Sequence, residues 1–313
     1  MIKRKTLYVW LALLGGMAFL QAIPQYYCTA CDAKYFSKLL NLIGSLHATN
    51  YDNINEIAVF DLGLEEQQIS FLKTIQNIAV YNVELTHPDL LRQVVINKAG
   101  RMVPGWFAWK PVVIKQALER FPYVLWIDAG STVLRPLDDL FEYIQHKGYF
   151  LATIGNERDN GKFRHPIAWQ TTRYVRNKFN LDAPEYQWIL SQEAVMAGVI
   201  GVAQKAQDLF ITPLYNMSKD LRNFIDDGTA PEGFGCARYE QALLGILAYL
   251  KDLCIHKQDY TQKVPMLLDY NQVSIPFYIT WQGDFVNENT HIYSSRNDIK
   301  NFQWYLKQIR KCV

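Results

Sequence analysis

The feature that most constrains the fold is an uninterrupted apolar run, Tyr123–Ile127, which ends at Asp128. An apolar residue at every position is typical of a strand buried on both faces, as in a parallel sheet covered by helices. Apolar residues at helical spacing precede it within residues 110–120, and a second helical pattern follows at residues 137–145. This order predicts an α/β fold with helices on both faces of a mainly parallel sheet.

The same alternation continues along the chain. Further strands are predicted at residues 57–60, 78–81, 149–153 and 199–202, and further helices at residues 67–74, 204–215, 239–250 and 298–310. Neither an internal repeat nor a low-complexity linker interrupts the sequence, so residues 41–313 are predicted to form a single domain. Residues 155–190 are polar and have no clear period, which is typical of either a binding loop or a disordered surface loop.

The N-terminus has the pattern of a targeting segment. Basic residues 3–5 precede an uncharged apolar segment, residues 7–23, whose 17 residues are at the short end of what a bilayer span needs. Leu20 gives a poor cleavage pattern, which favours an uncleaved signal anchor over a cleaved signal peptide and a secreted product. The charge asymmetry predicts a single-pass protein with a lumenal or extracellular C-terminal domain, in the Golgi or ER if the cell is eukaryotic. Residues 24–40 are expected to form a stem.

Charge and cysteine spacing argue against two function classes. Lys plus Arg number 32 against 30 Asp plus Glu, without the basic excess of a nucleic-acid-binding protein. Cys28 and Cys31 form a C-x-x-C, but no second C-x-x-C or His pair completes a zinc site. Disulfides or packing within the stem are therefore the expected use of the five cysteines. The sequence 216–218 is a candidate glycosylation site.

Asp128 is the candidate that the strand pattern selects. In an open α/β sheet, ligands bind at the carboxyl ends of the strands. A buried strand that ends in Asp128 and is followed by Gly130 delivers a carboxylate to that rim. A strand-end Asp also forms turns and caps helices, so its position alone assigns no role.

The motifs around Asp128 resemble those of glycosyltransferases with the GT-A fold, which use nucleotide-diphosphate sugars as donors. The resemblance covers residues 40–300 and is carried by four segments in the expected order: W-K-P (109–111) with the strand-end D-A-G (128–130) and the following R-P-L; A-V-F-D-L-G-L (58–64); A-G-V-I-G-V (197–202); and R-Y-E-Q (238–241). It is closest to membrane-anchored members with D-x-G in place of D-x-D. The resemblance implies a GT-A-like, Rossmann-like single domain after the N-terminal segment.

The resemblance also implies the site residues. The residues expected to bind the nucleotide sugar are Asp61, Lys110, Asp128, Gly130, Ala197, Gly198, Arg238 and Gln241. The residues expected to be catalytic are Asp128, Glu240 and Glu193; a carboxylate on the acceptor side would serve as the general base. For both glutamates a capping or helix-surface role is the competing interpretation.

The departure from the family pattern concerns the metal. In D-x-D, two carboxylates two residues apart share Mn²⁺ or Mg²⁺, which neutralises the leaving diphosphate. Gly130 removes one carboxylate here. Either Asp128 holds a divalent cation with help from His291, which stands where the family supplies a late ligand, or the cations of the protein replace the metal. The candidates for that replacement are Arg101, Lys110, Arg238 and Arg296.

Transfer of a sugar to a glycan, protein or lipid acceptor is the function that these motifs favour. A glycan-binding domain that has lost catalysis is the alternative, with Gly130 as its main support. A nucleotidyltransferase would need a Gly-rich phosphate loop with a basic residue after the first strand, which residues 61–64 do not provide. The expected partners are a nucleotide-sugar donor, the acceptor and, through residues 7–23, a membrane.

Overall fold

A computed structural model describes residues 23–96, 101–153, 158–159, 162–163, 166–231, 237–257, 265–270, 272–281, 286, 288–294 and 302–312. Several expectations concern parts of the chain outside this set. They are the apolar segment before Ile23, Cys236, Arg296, residues 298–301 of the last helix, and the side chain of Arg101. Within the described residues, no helix is both long enough and apolar enough to cross a membrane.

Within the described part of the chain, the main sheet has six strands in the order β3-β2-β1-β6-β11-β8. In chain order these strands are β1 (Gln25–Cys31), β2 (Ile54–Asp61), β3 (Ile78–Asn82), β6 (Tyr123–Ile127), β8 (Tyr149–Phe150) and β11 (Val199–Ala203). The first four strands of the spatial order are parallel, whereas β11 is antiparallel to both β6 and β8. The α/β prediction is confirmed, but the sheet is mixed, because β11 reverses direction between β6 and β8.

Helices cover both faces of this sheet. The described helices are α1 (Phe36–Thr49), α2 (Glu66–Leu72), α3 (Trp109–Leu118), α4 (Asp138–Lys147), α5 (Arg173–Lys178), α6 (Gln207–Met217), α7 (Tyr239–Leu250) and α8 (Phe302–Gln308). On β6, Val124 and Trp126 belong to a core formed with α3, α6 and α7. The intervening Leu125 and Ile127 belong to a second core formed with α1 and α4. Both cores need apolar residues, which explains the unbroken apolar run.

Small sheets surround this framework. Two of them bear on the site: the hairpin of β4 (Gln93–Ile96) with β5 (Arg101–Pro104), and the sheet β14-β15-β7, formed by Ile279–Trp281, Ile292–Ser294 and Ser131–Val133. Two further hairpins pair β9 (Arg158–Asp159) with β10 (Lys162–Phe163), and β12 (Met266–Tyr270) with β13 (Val273–Phe277).

The expectation that residues 24–40 form a stem is wrong. Gln25–Cys31 is β1, a central strand paired with β2 on one side and β6 on the other. Cys28 and Cys31 are buried free thiols in different cores, because they lie on opposite faces of β1. Three residues of strand separate their Cα atoms by about 10 Å, which exceeds the reach of a disulfide.

The segment 155–190 is more ordered than expected where it is described. It contains α5 and two 3₁₀ helices, Ile167–Gln170 and Gln187–Ser191. Ile167 and Ile189 are buried in the core that α7 shares. The irregular pattern arises because these elements are short, and short elements give no detectable period.

Candidate functional site

A cleft opens at the carboxyl ends of β1, β2 and β6, where the resemblance and the topology of the sheet both place a ligand. The parallel register sets Cys31 of β1 opposite Asp61 of β2, so these ends form one rim. The empty volume of the cleft, including the part open to solvent, is about 830 Å³. Its lining residues come from the β1 end (Ala30, Cys31, Asp32, Tyr35), the β5 region (Met102, Val103, Pro104, Phe107), the start of α3 (Trp109, Lys110), the β6 end (Trp126, Asp128, Ala129, Gly130) and from Leu62 and Ser294.

The Lys110 ammonium joins three separate segments of the chain beside this cleft. Its Nζ lies 3.0 Å from Asp128 Oδ1 and 2.8 Å from Glu240 Oε1, and it donates to the Ala197 carbonyl at 3.0 Å. An ammonium has three N–H donors, and these contacts use all three. We call Lys110, Asp128, Ala197 and Glu240 the lysine cluster.

Burial and charge in the lysine cluster set its protonation. The Lys110 side chain is 5% exposed and that of Glu240 is 8% exposed, against 37% for Asp128. Burial lowers the pKa of Lys110, but the carboxylates of Asp128 and Glu240 together outweigh it, so that pKa is raised and the ammonium stays charged. Burial also raises the pKa of Glu240; Lys110 opposes this shift and Asp128 adds to it. The net shift of the Glu240 pKa is upward, which makes this group more basic than an exposed glutamate.

Asp128 is held rigidly at the end of β6. Its backbone N–H donates to the Gly198 carbonyl at 2.9 Å, which ties β6 to the chain just before β11. The indole Nε1 of Trp126 donates to Oδ1 at 2.9 Å, so this oxygen accepts from both Trp126 and Lys110. The carboxylate position is fixed from the backbone and from the side chain.

An unusual backbone segment delivers the aromatic wall of the cleft. Gly105, Trp106 and Phe107 have φ values of 48°, 48° and 60°, and Tyr239 has 46°. Bulky residues rarely adopt this left-handed region, and such outliers concentrate at functional sites. The rings of Phe107 and Tyr239 have centroids 5.4 Å apart, so the chain segments that lead into Lys110 and Glu240 are in contact.

The structure brings together four of the predicted site residues and sets others apart. Lys110, Asp128, Ala197 and Glu240 form the lysine cluster, Gly130 lines the cleft, and Gly198 binds the Asp128 backbone through its carbonyl. Arg238 and Gln241 flank Glu240 at the start of α7, half-buried and linked through the Gln241 N–H and the Arg238 carbonyl.

Asp61 and Glu193 belong neither to the cleft lining nor to the lysine cluster. The Asp61 Oδ1 accepts from the N–H groups of Gly63 and Leu64, at 2.8 and 2.7 Å, and so closes the turn after β2. Glu193 is buried four residues before Ala197, where its carbonyl accepts from the Tyr249 hydroxyl at 2.9 Å. Asp61 therefore stabilises the turn after β2, and the backbone of Glu193 takes part in the packing against α7.

The structure gives His291, the proposed second metal ligand, contacts of its own. The His291 carbonyl accepts from the Leu134 N–H, at the end of β7 away from Asp128. Its ring stacks on Phe277 with centroids 4.5 Å apart, and Nδ1 accepts from the Tyr278 N–H at 3.3 Å. Burial, and then the charge of Arg135, lowers the pKa of His291 to about 4. The ring is thus a packed structural group.

The donor set does not fit a divalent cation. Gly130 offers no oxygen ligand from its side chain, and Asp128 Oδ1 already accepts two N–H bonds. Across the part of the chain that the structure describes, no three His, Cys, Asp or Glu side chains lie close enough together to hold a metal ion.

Sequence reasoning missed the β1 end of the cleft. Asp32 and Tyr35 line it, and Asp32 Oδ1 accepts from the Tyr35 N–H at 3.0 Å. The signal was present, because Asp32 follows a β-prone run just as Asp128 does. The assignment of residues 24–40 to a stem concealed it.

Neither a protein-family model nor a curated protein sequence matches this chain. Among solved structures, the galactosyltransferase LgtC in complex with donor and acceptor sugar analogs shares 13% identity at a TM-score of 0.47, over 92% of this chain and 98% of that one. Mouse xyloside xylosyltransferase 1 shares 10% at 0.46, over 88% and 98%. The bifunctional glycosyltransferase WbbM shares 11% at 0.49, over 93% and 50%. These TM-scores lie below 0.5, and such similarities do not establish a family.

Proposed function

We propose that this protein transfers a sugar from a nucleotide-diphosphate sugar to a glycan, protein or lipid acceptor. The observation that carries the proposal is the lysine cluster. Three motifs that the sequence resemblance names separately meet on one buried ammonium, through Asp128, Ala197 and Glu240. The cluster borders a cleft of the size that small-molecule ligands occupy.

In this proposal the cleft holds the donor, and the positive charge of Lys110 reduces the electrostatic repulsion between the cleft rim and the diphosphate of the donor. An uncompensated Asp128 carboxylate would repel a diphosphate. The Lys110 charge, 3.0 Å from Asp128, reduces that repulsion, but Lys110 also pairs with Glu240 and so compensates Asp128 only in part. The rigid backbone of Asp128 then keeps its carboxylate at the rim, where it orients the sugar by accepting hydrogen bonds from hydroxyl groups.

Glu240 is the proposed general base. Its Oε1 binds Lys110, whereas Oε2 is buried and has no hydrogen-bond partner among the described residues. A hydroxyl group of the acceptor would satisfy that oxygen. In transfer, the acceptor oxygen bonds to the anomeric carbon, the bond from that carbon to the diphosphate oxygen breaks with its electron pair, and Glu240 takes the hydroxyl proton.

The function test is a panel of nucleotide sugars incubated with the full chain, with and without Mn²⁺ or Mg²⁺. Release of nucleoside diphosphate and the mass of the glycosylated product are measured. We expect transfer from at least one donor. Glycan binding without turnover on any donor would replace the proposal with the non-catalytic binding domain.

We also propose that residues 7–23 anchor the protein in a membrane with the catalytic domain lumenal or extracellular. The support is the charge asymmetry of the sequence. Because β1 begins at Gln25, an anchored form would carry the domain without a spacer, with the cleft at the opposite end of β1 from the anchor. The full chain should resist carbonate extraction from membranes. A soluble product that begins near Ile23 would show cleavage instead.

A further inference from the structure

Trp126 contacts two charged side chains at the cleft rim. Its indole Nε1 donates to Asp128 Oδ1 at 2.9 Å, and Lys110 Nζ lies 5.3 Å from the centroid of its ring. Side chains two residues apart on an extended chain project to the same side, so the W-x-D spacing brings the indole N–H to the carboxylate. Trp126 therefore links Asp128 to Lys110, although no step of the proposed transfer uses it.

Packing fixes the direction of this indole N–H. Trp126 is 1% exposed and belongs to the core that β6 forms with α3, α6 and α7. Its ring centroid lies 6.0 Å from that of Trp109, with the two ring planes at 55° to each other. A side chain that packing holds in one orientation can hold a second group in a defined position.

The choice of acceptor distinguishes Trp126 from its neighbour. A buried indole N–H needs an acceptor, and a backbone carbonyl is sufficient, because Trp109 Nε1 donates to the Pro104 carbonyl at 3.1 Å. Trp126 instead donates to the carboxylate of Asp128, whose side chain is 37% exposed and open to hydration by water. A hydrogen bond to an ionised acceptor is stronger than one between neutral groups.

Two donors on one oxygen determine which oxygen of Asp128 faces the cleft. The terminal torsion of an aspartate is broad and nearly two-fold, so a carboxylate with one partner can turn about it. The Trp126 N–H and the Lys110 ammonium both bind Oδ1. Among the described residues, no group donates a hydrogen bond to Oδ2, and Asp128 lines the cleft. Oδ2 is thus the oxygen available to a ligand.

We propose, on the basis of the proposed transfer function, that Trp126 is a positioning residue of the reaction. It holds Asp128 Oδ1 and so presents Oδ2 as the single oxygen that accepts from a hydroxyl group of the donor sugar. Trp126 acts through Asp128 and not on the reacting atoms. Without the indole N–H the carboxylate can turn, and its alignment with the sugar in the transition state is lost.

The test is a double-mutant cycle of Trp126→Phe with Asp128→Ala in the full chain. Phenylalanine keeps an aromatic ring but has no N–H donor, and Asp128→Ala removes the acceptor. Trp109→Phe is the matched control, because it makes the same change in a buried tryptophan whose N–H binds a backbone carbonyl. The kcat of each variant is measured on the donor identified for the parent, and melting temperatures establish that the variants are folded.

Trp126→Phe should lower kcat by about tenfold in the parent. It should have no further effect in Asp128→Ala, because the carboxylate through which it acts is absent. Trp109→Phe should change kcat by the same factor in both backgrounds. An effect of Trp126→Phe that is equal in the two backgrounds would overturn the positioning role and leave the transfer function intact.

A measurement without donor separates the positioning role from the transfer function. In protein labelled with ¹⁵N-tryptophan, the indole resonance that Trp126→Phe lacks belongs to Trp126. A hydrogen bond to a carboxylate deshields this proton, so its resonance should move upfield in Asp128→Ala. An unchanged resonance would overturn the positioning role whether or not the parent transfers a sugar.

A parent that transfers no sugar would refute the transfer function alone. The same cycle is then measured on the dissociation constants of the nucleotide sugars in the panel. Weaker binding in Trp126→Phe that disappears in the Asp128→Ala background would support the positioning role. Equal losses in both backgrounds would overturn it, and binding of none of the panel would overturn both proposals.

Discussion

Replacing Lys110 with Met tests the energetics of the lysine cluster. The substitution leaves Glu240, whose side chain is 8% exposed, facing Asp128 without the ammonium that lies 2.8 Å away in the parent. Removing one partner of a buried ion pair costs about 3–5 kcal/mol. The Asp128 side chain is 37% exposed, so solvent screens its share, and the cost arises mainly from Glu240.

The cost should depend on pH with a definite sign. Burial raises the pKa of Glu240 in the parent, and loss of Lys110, which lowers it, raises it further. A raised pKa in the folded state means that stability is greatest below the pKa of the unfolded chain and is lost as pH rises through the folded value. The deficit of Lys110→Met should therefore grow from pH 5 to pH 8, by up to about 1.4 kcal/mol per pH unit.

Urea unfolding followed by tryptophan fluorescence at pH 5 and pH 8 measures this deficit. Adding Glu240→Gln to Lys110→Met should recover most of it and flatten its pH dependence. Lys205→Met is the control, because the exposed Lys205 also binds two carbonyl groups, of Gln145 and His146, and should cost less than about 1 kcal/mol at either pH. A deficit that is equal at both pH values, or unaffected by Glu240→Gln, would refute the reasoning.

Gly105→Ala should lower the free energy of unfolding by more than about 3 kcal/mol, because a Cβ would lie 1.7 Å from the Leu90 carbonyl oxygen. The control is Gly228→Ala, which has a positive φ but nothing within 4 Å of its Cβ and should cost about 1–2 kcal/mol. Equal losses of stability in the two variants would contradict this prediction. Iodoacetamide should modify the exposed Cys254 in the native protein, and Cys28 and Cys31 only after denaturation, as read by mass spectrometry; a native Cys28–Cys31 disulfide would contradict the fold. Burial, and then the charge of Arg310, lowers the pKa of His47 to about 4, so its contribution to stability should be lost as pH falls from about 6.5 to 4; an NMR titration of His47 with a pKa near 6.5 would contradict this.

The elements with a strong pattern were predictable from the sequence. The helix before β6 and the strand itself appear within one or two residues of their expected bounds, as Trp109–Leu118 and Tyr123–Ile127. Two buried faces require an apolar residue at every position, and this leaves a visible signature. The expected strand at 149–153 is regular only over Tyr149–Phe150 and continues as isolated bridges at Ala152 and Thr153.

The features that the sequence did not predict also have physical explanations. β1 was missed because it directly follows the apolar segment 7–23 and was therefore assigned to a stem, although its sequence is β-prone and the strand is central. The lysine cluster joins residues 18, 87 and 130 positions apart, and no local pattern reports such separations. The position of His291 depends on the register of β15 against β7, which sets this residue opposite Leu134.

The measurement that tests the proposed function most directly is the turnover of Asp128→Asn on the donor identified for the parent. This change keeps size and a hydrogen-bond acceptor for Trp126 but removes the charge at the cleft rim. The control is Asp182→Asn, an exposed carboxylate paired with Arg176 and absent from the cleft lining. We predict that Asp128→Asn lowers kcat by a factor of about 10²–10⁴ with folding retained, and that Asp182→Asn leaves it unchanged. Full transfer activity in folded Asp128→Asn would contradict the assignment of this cleft as the active site.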